Sequence, residues 1–577
     1  MKIFNHIITT LLILSFNSFN PTGLLAQKRV AERIYLATDR GAYIAGEDLW
    51  LSAYCVDISG ATELSNLSSV AYFELHNINS VALVGKIALS NGRGSGHINL
   101  PPGLPTGNYL LRAYTKQMLN EESPIFFEKI IPIYNVLSNE RVPGIEIVEN
   151  TEHRESLKDL KSGTSLTSLG QESLIDARFG VGGKVIETNS TVPVTLINNS
   201  KEMVSLSISV FKMDSIHTHI SPGMSSYFGP LSSESITFTD KHTPEYEGEI
   251  IKGRVNCQSG TNLKDRIVFL SAAGGESDIY TSYVDSLGLF SFYTNSIYGD
   301  REIILEIPTA DSSSLFTFEL FDPFIKRAVA DIPGLKLAER IEHTLRERSI
   351  EMQIGRRFGI DTLYHKMKIN RDPLLRTKPI VYRLDDYTRF PVMQEVVIEY
   401  VPELRFRRLD GKPDLQMKID ESFNAITFSR GTTLVLIDGI PVFNHSNLLN
   451  YDPLKVKTLS IYPAKYFIGI ASFDGIASFR TYKGDYSGLS FDKNVRILDY
   501  QGVLYPSKMT ASGLDSIKNF PDLRSLLYWD PQIELSSREN IELIVKSSSL
   551  PGTYKLIIEG ITSGGETLVY STEFLVK

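Results

Sequence analysis

The sequence predicts a mainly β chain of tandem β-sandwich domains, a short helical connector and one α+β domain. Three observations carry this expectation. Short runs of β-branched and aromatic residues alternate with polar ones, the period of half-buried strands. Gly (41) and Pro (26) punctuate these runs at intervals that fit antiparallel turns. Tyr (27) and Phe (29) are plentiful, a supply that suits pleated surfaces. At roughly 100–200 residues per domain, a chain of 577 residues implies three to five domains.

The first 26 residues read as a cleavable signal peptide. Lys2 supplies the positive start, Ile7–Phe16 the apolar run, and Leu24-Leu25-Ala26 a small-residue end before Gln27. Asn17, Ser18, Asn20 and Pro21 interrupt the run, short of the ~20 apolar residues a membrane anchor needs. No cysteine sits at the cleavage point for a lipid anchor. The expectation is an exported chain, periplasmic or outer-membrane associated. The net charge of −8 is spread without long runs, which argues against nucleic acid as a partner, because phosphate neutralisation requires a clustered basic face. Cys55 and Cys257 fall in different predicted domains. Cys55 reads as a small core residue, and no disulfide is expected.

Residues 27–138 read as the first β-sandwich. They open with Tyr35-Leu36-x-x-Asp39-Arg40-x-x-Tyr43-x-x-Gly46-Glu47 and close with Leu104-Pro105-x-Gly107-Asn108-Tyr109-x-Leu111-Arg112-Ala113-Tyr114-Thr115. The pair of motifs resembles the macroglobulin-type domain of alpha-2-macroglobulin relatives, in the version of exported Bacteroidota proteins. Those relatives trap proteases through a Gly-Cys-Gly-Glu-Gln thioester. Here Cys257 is followed by Gln258 and Ser259, so the resemblance does not extend to thioester protease trapping.

Residues 139–168 are polar and serine-rich, the composition of a linker. A second sandwich is expected at 169–240, with Leu206, Ile208 and Val210 on one face of its best strand. Residues 241–328 carry Gly248–Val255, Ile267–Ser271, Asp285-Ser286-Leu287-Gly288 and Phe290–Phe292. This unit resembles the transthyretin-like regulatory domain of carboxypeptidases. At 329–372, Leu335, Leu337, Ile341 and Leu345 line one face of an expected connector helix, docked between this unit and the next.

Residues 373–490 contain Leu434-Val435-Leu436-Ile437-Asp438-Gly439-Ile440-Pro441, a strand, an Asp-Gly turn and a second strand. The block resembles the plug domain of TonB-dependent outer-membrane receptors, with Glu395-Val396-Val397-Ile398 as its early strand. A receptor barrel of ~22 strands needs over two hundred residues, and about ninety follow Thr481. A plug-like domain without its barrel is therefore expected. Residues 491–577 read as C-terminal strands completing a sandwich, with Leu550-Pro551-Gly552-Thr553-Tyr554 repeating the turn-then-tyrosine arrangement of Pro105–Tyr109.

No catalytic, cofactor-binding or metal-ligating residue is assigned. His217 and His219 share a strand face but lack further ligands. Asp385 and Asp386 are adjacent and point oppositely, as in a solvated turn. Gly94-Ser95-Gly96 lacks the context of a nucleophile elbow and reads as a flexible hairpin. Glu47 and Asp48 read as turn residues after Gly46. These readings predict a non-enzymatic envelope binding or scaffold protein that touches an envelope or outer-membrane protein and is accessory to a barrel transporter. An enzyme whose site assembles across domains, or a receptor relic without its barrel, are the alternatives.

Overall fold

The computed structural model describes residues 29–577 apart from 149–173 and shorter stretches at 181–182, 217–222, 230–235, 258–261, 275–277, 296, 310–314, 330–331, 339–340, 361–363, 370–376, 423–424, 430, 511–513, 515–516 and 518. The chain is mainly β, in several packed sheets with few helices. The expected signal peptide lies outside the described residues, as does most of the 139–168 linker.

The first sandwich runs from Glu32 to Tyr134. Its strand Val81–Ser90 pairs with Val70–His76 along most of its length and with Arg93–Asn99 at its end, so one strand joins both halves of the fold. Tyr43, Tyr54, Tyr72, Tyr109 and Tyr114 are fully buried in its core, each adding a large apolar face. Cys55 lies in the same core, and Cys257 ends a strand of the third unit. Gly94-Ser95-Gly96 is not a hairpin. It is buried inside the strand Arg93–Asn99, paired with Leu51–Ala53, and the turn falls just before it at Asn91-Gly92.

The second sandwich is assembled from distant parts of the chain. One sheet holds Ile175–Phe179, Thr191–Asn198 and Asn540–Lys546. The other holds Val185–Ile186, Val204–Lys212, Leu526–Leu535, Gly552–Thr562 and Thr567–Val576. The stretches read from sequence as separate units at 169–240 and 491–577 thus share one core. Alternation buries Leu206, Ile208 and Val210 there as expected. Ser205, Ser207 and Ser209 on the opposite face are buried as well, against the first sandwich.

The third unit, Ile250–Leu320, packs a three-stranded sheet on a four-stranded one whose last member is the returning strand Arg496–Gln501. Between these parts sits the α+β unit. It has a five-stranded mixed sheet (Ile380–Arg383, Val456–Ile468, Ala471–Thr481, Leu434–Ile437, Ile440–Pro441) and a three-stranded one (Leu404–Leu409, Lys412–Ser422, Ala425–Phe428). The architecture is therefore nested, with the α+β unit inserted in the third unit and both inserted in the second sandwich.

Two local expectations are corrected. Glu395–Ile398 is not a strand but part of the helix Met393–Tyr400. Met393, Val396 and Val397 are the buried positions, the i, i+3, i+4 pattern of a helix that packs one face. The connector helix spans Glu342–Phe358 and stops at Gly359 in the left-handed region (φ 66°). Leu337 precedes it, in a short strand Lys336–Ala338 paired in parallel with Glu146–Val148. The helix docks on the first sandwich and on Ser525, not between the third and α+β units. Leu335 and Ile341 still bury with Ala42 and Tyr134.

Candidate functional site

The opening motif of the first sandwich folds into a polar knot. Asp39 Oδ1 accepts from the Tyr43 hydroxyl at 2.5 Å and from the Trp50 backbone N–H at 3.2 Å, while Oδ2 accepts from Arg40 Nε at 2.8 Å. Gly46 turns the chain at φ 99°, and a Cβ there would stand 2.7 Å from the Met352 sulfur of the long helix. The positive φ is what favours glycine there, since the Met352 side chain could shift from a Cβ. Glu47 then faces the helix. Arg348 donates to both its oxygens, with Nε–Oε1 at 3.0 Å, and Arg40 stands 3.7 Å away. Burial alone would raise the Glu47 carboxyl, but the two guanidiniums outweigh it and hold it below its ordinary value.

Beside this knot opens a cleft of about 650 Å³, within the size range of small-ligand sites. Separated parts of the chain line it: the strands around Trp50 and His97, Gly299-Asp300, the end of the long helix through Tyr364 and Lys366, the returning segment Gln501–Tyr505 with Met509, and Phe520–Leu526. Trp50 and His97 are cross-strand partners in register. Their rings stack at 4.5 Å, and Tyr364 meets both edge-on at 4.7 and 5.4 Å. His97 Nδ1 is 2.6 Å from the Ser507 hydroxyl. Lys366 lies over the Tyr505 ring at 4.5 Å, and Arg356 donates to the Gly46 carbonyl at 2.7 Å. Burial pushes the carboxyl of Glu351 up, opposed by Arg40 and by the Ser525 N–H that it accepts at 2.6 Å. The cleft thus combines apolar walls with a few fixed polar groups, an arrangement suited to holding a ligand in one orientation.

Of the residues weighed from sequence, only Glu47 and Asp48 line this cleft. His217 and His219 lie outside the described residues. Asp385 and Asp386 are exposed in a short 3-10 turn, where Asp385 pairs with Arg389 at 3.4 Å. Asp438 does form the expected Asp-Gly turn, with φ 48° and 87° at Asp438 and Gly439. Its buried carboxylate also accepts from Thr481 N–H and hydroxyl (2.8 and 2.6 Å) and from Tyr486 N–H (2.8 Å), which ties the turn to the end of the sheet. Among the described residues no group of three or more His, Cys, Asp or Glu is placed to hold a metal, and no helix is long and apolar enough to cross a membrane. His97, Glu351, Tyr364 and Tyr505 escaped the sequence reading. Only Trp50 and its strand neighbours carried a local signal.

Neither a protein family nor a curated relative matches the sequence. Solved structures overlap it in part. A Salmonella alpha-2-macroglobulin reacted with methylamine aligns over 95% of this chain and 24% of its own, at 9% identity and a TM-score of 0.15. An Escherichia coli alpha-2-macroglobulin activated by porcine elastase covers 95% and 44%, at 7% identity and a TM-score of 0.24. Dimeric latent PorU from Porphyromonas gingivalis covers 94% and 34%, at 7% identity and a TM-score of 0.14. The chain spans less than half the length of each of these. Overlaps this slight carry no argument, and the interpretation of the cleft rests on its own geometry.

Proposed function

We propose that this chain is an exported, non-enzymatic binding or scaffold protein of the bacterial cell envelope, accessory to an outer-membrane barrel. The observation that carries the binding half is the cleft of about 650 Å³ walled by several separate parts of the chain. Its wall at Glu47 is clamped to the helix by Arg348, so this side of the cavity is fixed by packed structure. The envelope half is supported by the signal-peptide pattern of residues 1–26, the macroglobulin-type motifs around Asp39 and Tyr109, and the plug-like Ile437-Asp438-Gly439-Ile440 turn. The plug-like sheet also ends on the strand Ile380–Arg383, where Ile380 and Val381 are 41% and 51% exposed. An edge of that kind accepts a further strand from a partner.

Purification of the tagged protein from envelope membranes in mild detergent tests the proposal. The expected result is a mature N-terminus at Gln27 and a co-purifying outer-membrane barrel. Met1 retained on cytoplasmic protein would sink the envelope reading, and the absence of any barrel under several detergents would sink the accessory role.

One observation favours a second reading, an enzyme with a site assembled across domains. Glu351, with its raised carboxyl, lines the same cleft as Asp48 and His97. Turnover of any envelope substrate that is lost in Glu351→Gln, with folding intact, would favour the enzyme.

A further inference from the structure

The hairpin formed by Leu404–Leu409 and Lys412–Ser422 has a rooted base and a bare tip. Leu404, Leu415 and Met417 are buried in the core of the α+β unit. Every residue from Arg407 to Lys412 is exposed, and nothing stands within 4 Å of where a Gly411 Cβ would lie. The tip is a two-residue Asp410-Gly411 turn with φ 49° and 79°, the I′ geometry of tight hairpins.

Its composition is unlike that of the chain around it. Residues 405–412 carry Arg405, Arg407, Arg408 and Lys412 against the single acid Asp410, on a chain of net charge −8. Leu409 is 52% exposed beside the turn, directly across from Lys412. By strand alternation Arg405, Arg407 and Leu409 share one face. Arg405 is engaged, donating to Gln416 Oε1 and lying over the Phe428 ring at 3.9 Å. Asp414, the cross-strand neighbour of Arg407, is 3.2 Å from His445 Nδ1. Arg407 and Arg408 form no ion pair among the described residues.

Leu404–Leu409 is an edge strand, and charged side chains are one device that keeps such an edge from pairing. Edge protection accounts for charge along the strand. It does not account for an exposed leucine set among those charges beside a tight turn. Cations around an apolar tip are complementary to a bilayer surface, where anionic headgroups meet the acyl boundary.

We infer that this hairpin docks the protein on an anionic lipid bilayer. The contact is electrostatic and peripheral, with Leu409 entering the headgroup layer while Arg407, Arg408 and Lys412 sit among lipid phosphates. It deepens the envelope reading above by adding a lipid contact to the protein one. Its failure leaves a barrel partner standing, because that contact is read by co-purification rather than by lipid binding.

Sedimentation of the purified chain with vesicles tests it. The chain should co-sediment with phosphatidylglycerol-containing vesicles at low salt, much less at 0.3 M salt, and not with pure phosphatidylcholine. Arg407→Gln with Arg408→Gln should weaken association about 25-fold, from about fivefold per charge. Arg407→Lys with Arg408→Lys should retain it, and Leu409→Asp should weaken it. All three positions are exposed, so the melting temperature should not move. Equal binding to neutral vesicles, indifference to the glutamine pair, or no binding at low salt would overturn the inference. Tighter capture of a DNA duplex than of the vesicles would overturn it too.

Discussion

Tyr109 and Tyr554 stand in different sandwiches and make the same hydrogen bond. Each hydroxyl donates to the carbonyl four residues upstream, Tyr109 to Pro105 at 2.7 Å and Tyr554 to Leu550 at 3.0 Å. Both rings are fully buried, so each bond pins an incoming turn to the strand that follows it. Tyr109→Phe and Tyr554→Phe should each cost about 1 kcal/mol in denaturant unfolding. The losses should add in the double variant, since the two residues sit in separate cores. A strongly non-additive double variant would show that the two sandwiches unfold through a shared contact.

Arg348 on the long helix and Glu47 on the first sandwich form a buried pair. Side-chain exposures are 5% and 9%. Arg348→Ala leaves Glu47 buried with Arg40 at 3.7 Å and the Ile44 N–H as its remaining partners and should destabilise the helix docking by about 3–5 kcal/mol. Removing both charges, with Arg348→Met and Glu47→Gln, should cost less than Arg348→Ala alone. Hydrogen exchange over residues 342–358 reads the outcome, and equal protection in all three proteins would refute it.

Gly439→Val should destabilise the α+β unit by about 1–3 kcal/mol, because a β-branched residue is forced to φ 87°. Asp438→Ala should have a comparable effect by stripping acceptors from Thr481 and Tyr486. The first sandwich, with its own core, should stay protected in both variants when limited proteolysis is followed by mass spectrometry.

Two carboxyls, buried Glu245 and half-buried Glu306, make stability depend on pH. Burial, reinforced by neighbouring Glu249 and opposed by the Ile250 N–H, lifts Glu245 to about 7. Burial and then Asp492 lift Glu306 to about 8. In the unfolded chain both ionise near the ordinary value of about 4.5. Their protonated forms therefore favour folding fully below pH ~4.5, and that contribution is lost as pH rises through about 7 and 8. The melting temperature should fall between pH 5 and pH 8, and Glu245→Gln with Glu306→Gln should flatten the slope. Glu47, held low, acts in the opposite sense and only in acid, so the two windows do not overlap.

Much of the fold was legible because its signals are local. Alternation marked the strand at Leu206, and turn chemistry marked Asp438-Gly439 and the two tyrosine turns. Apolar runs without clear alternation were ambiguous. Glu395–Ile398 passes for a strand until the burial of Met393, Val396 and Val397 reveals a helical face. Partners separated by hundreds of residues left no trace, so the pairing of Val204–Lys212 with Leu526–Leu535 and Gly552–Thr562 could not be read. The cleft was hidden for the same reason. Glu47 read only as a turn residue because Arg348, which pairs with it, is three hundred positions away.

The nested architecture sets a timetable. When Val204–Lys212 leaves the ribosome, both strands that will flank it are still to be made, and two whole units separate it from them. The first sandwich can close early on its own contacts. The second must wait for the end of synthesis, with its serine face and its apolar face both uncovered in the meantime. Such long-range pairing is slow and leaves intermediates open to aggregation. Through that interval the chain depends on whatever keeps the exposed strand from pairing with another copy.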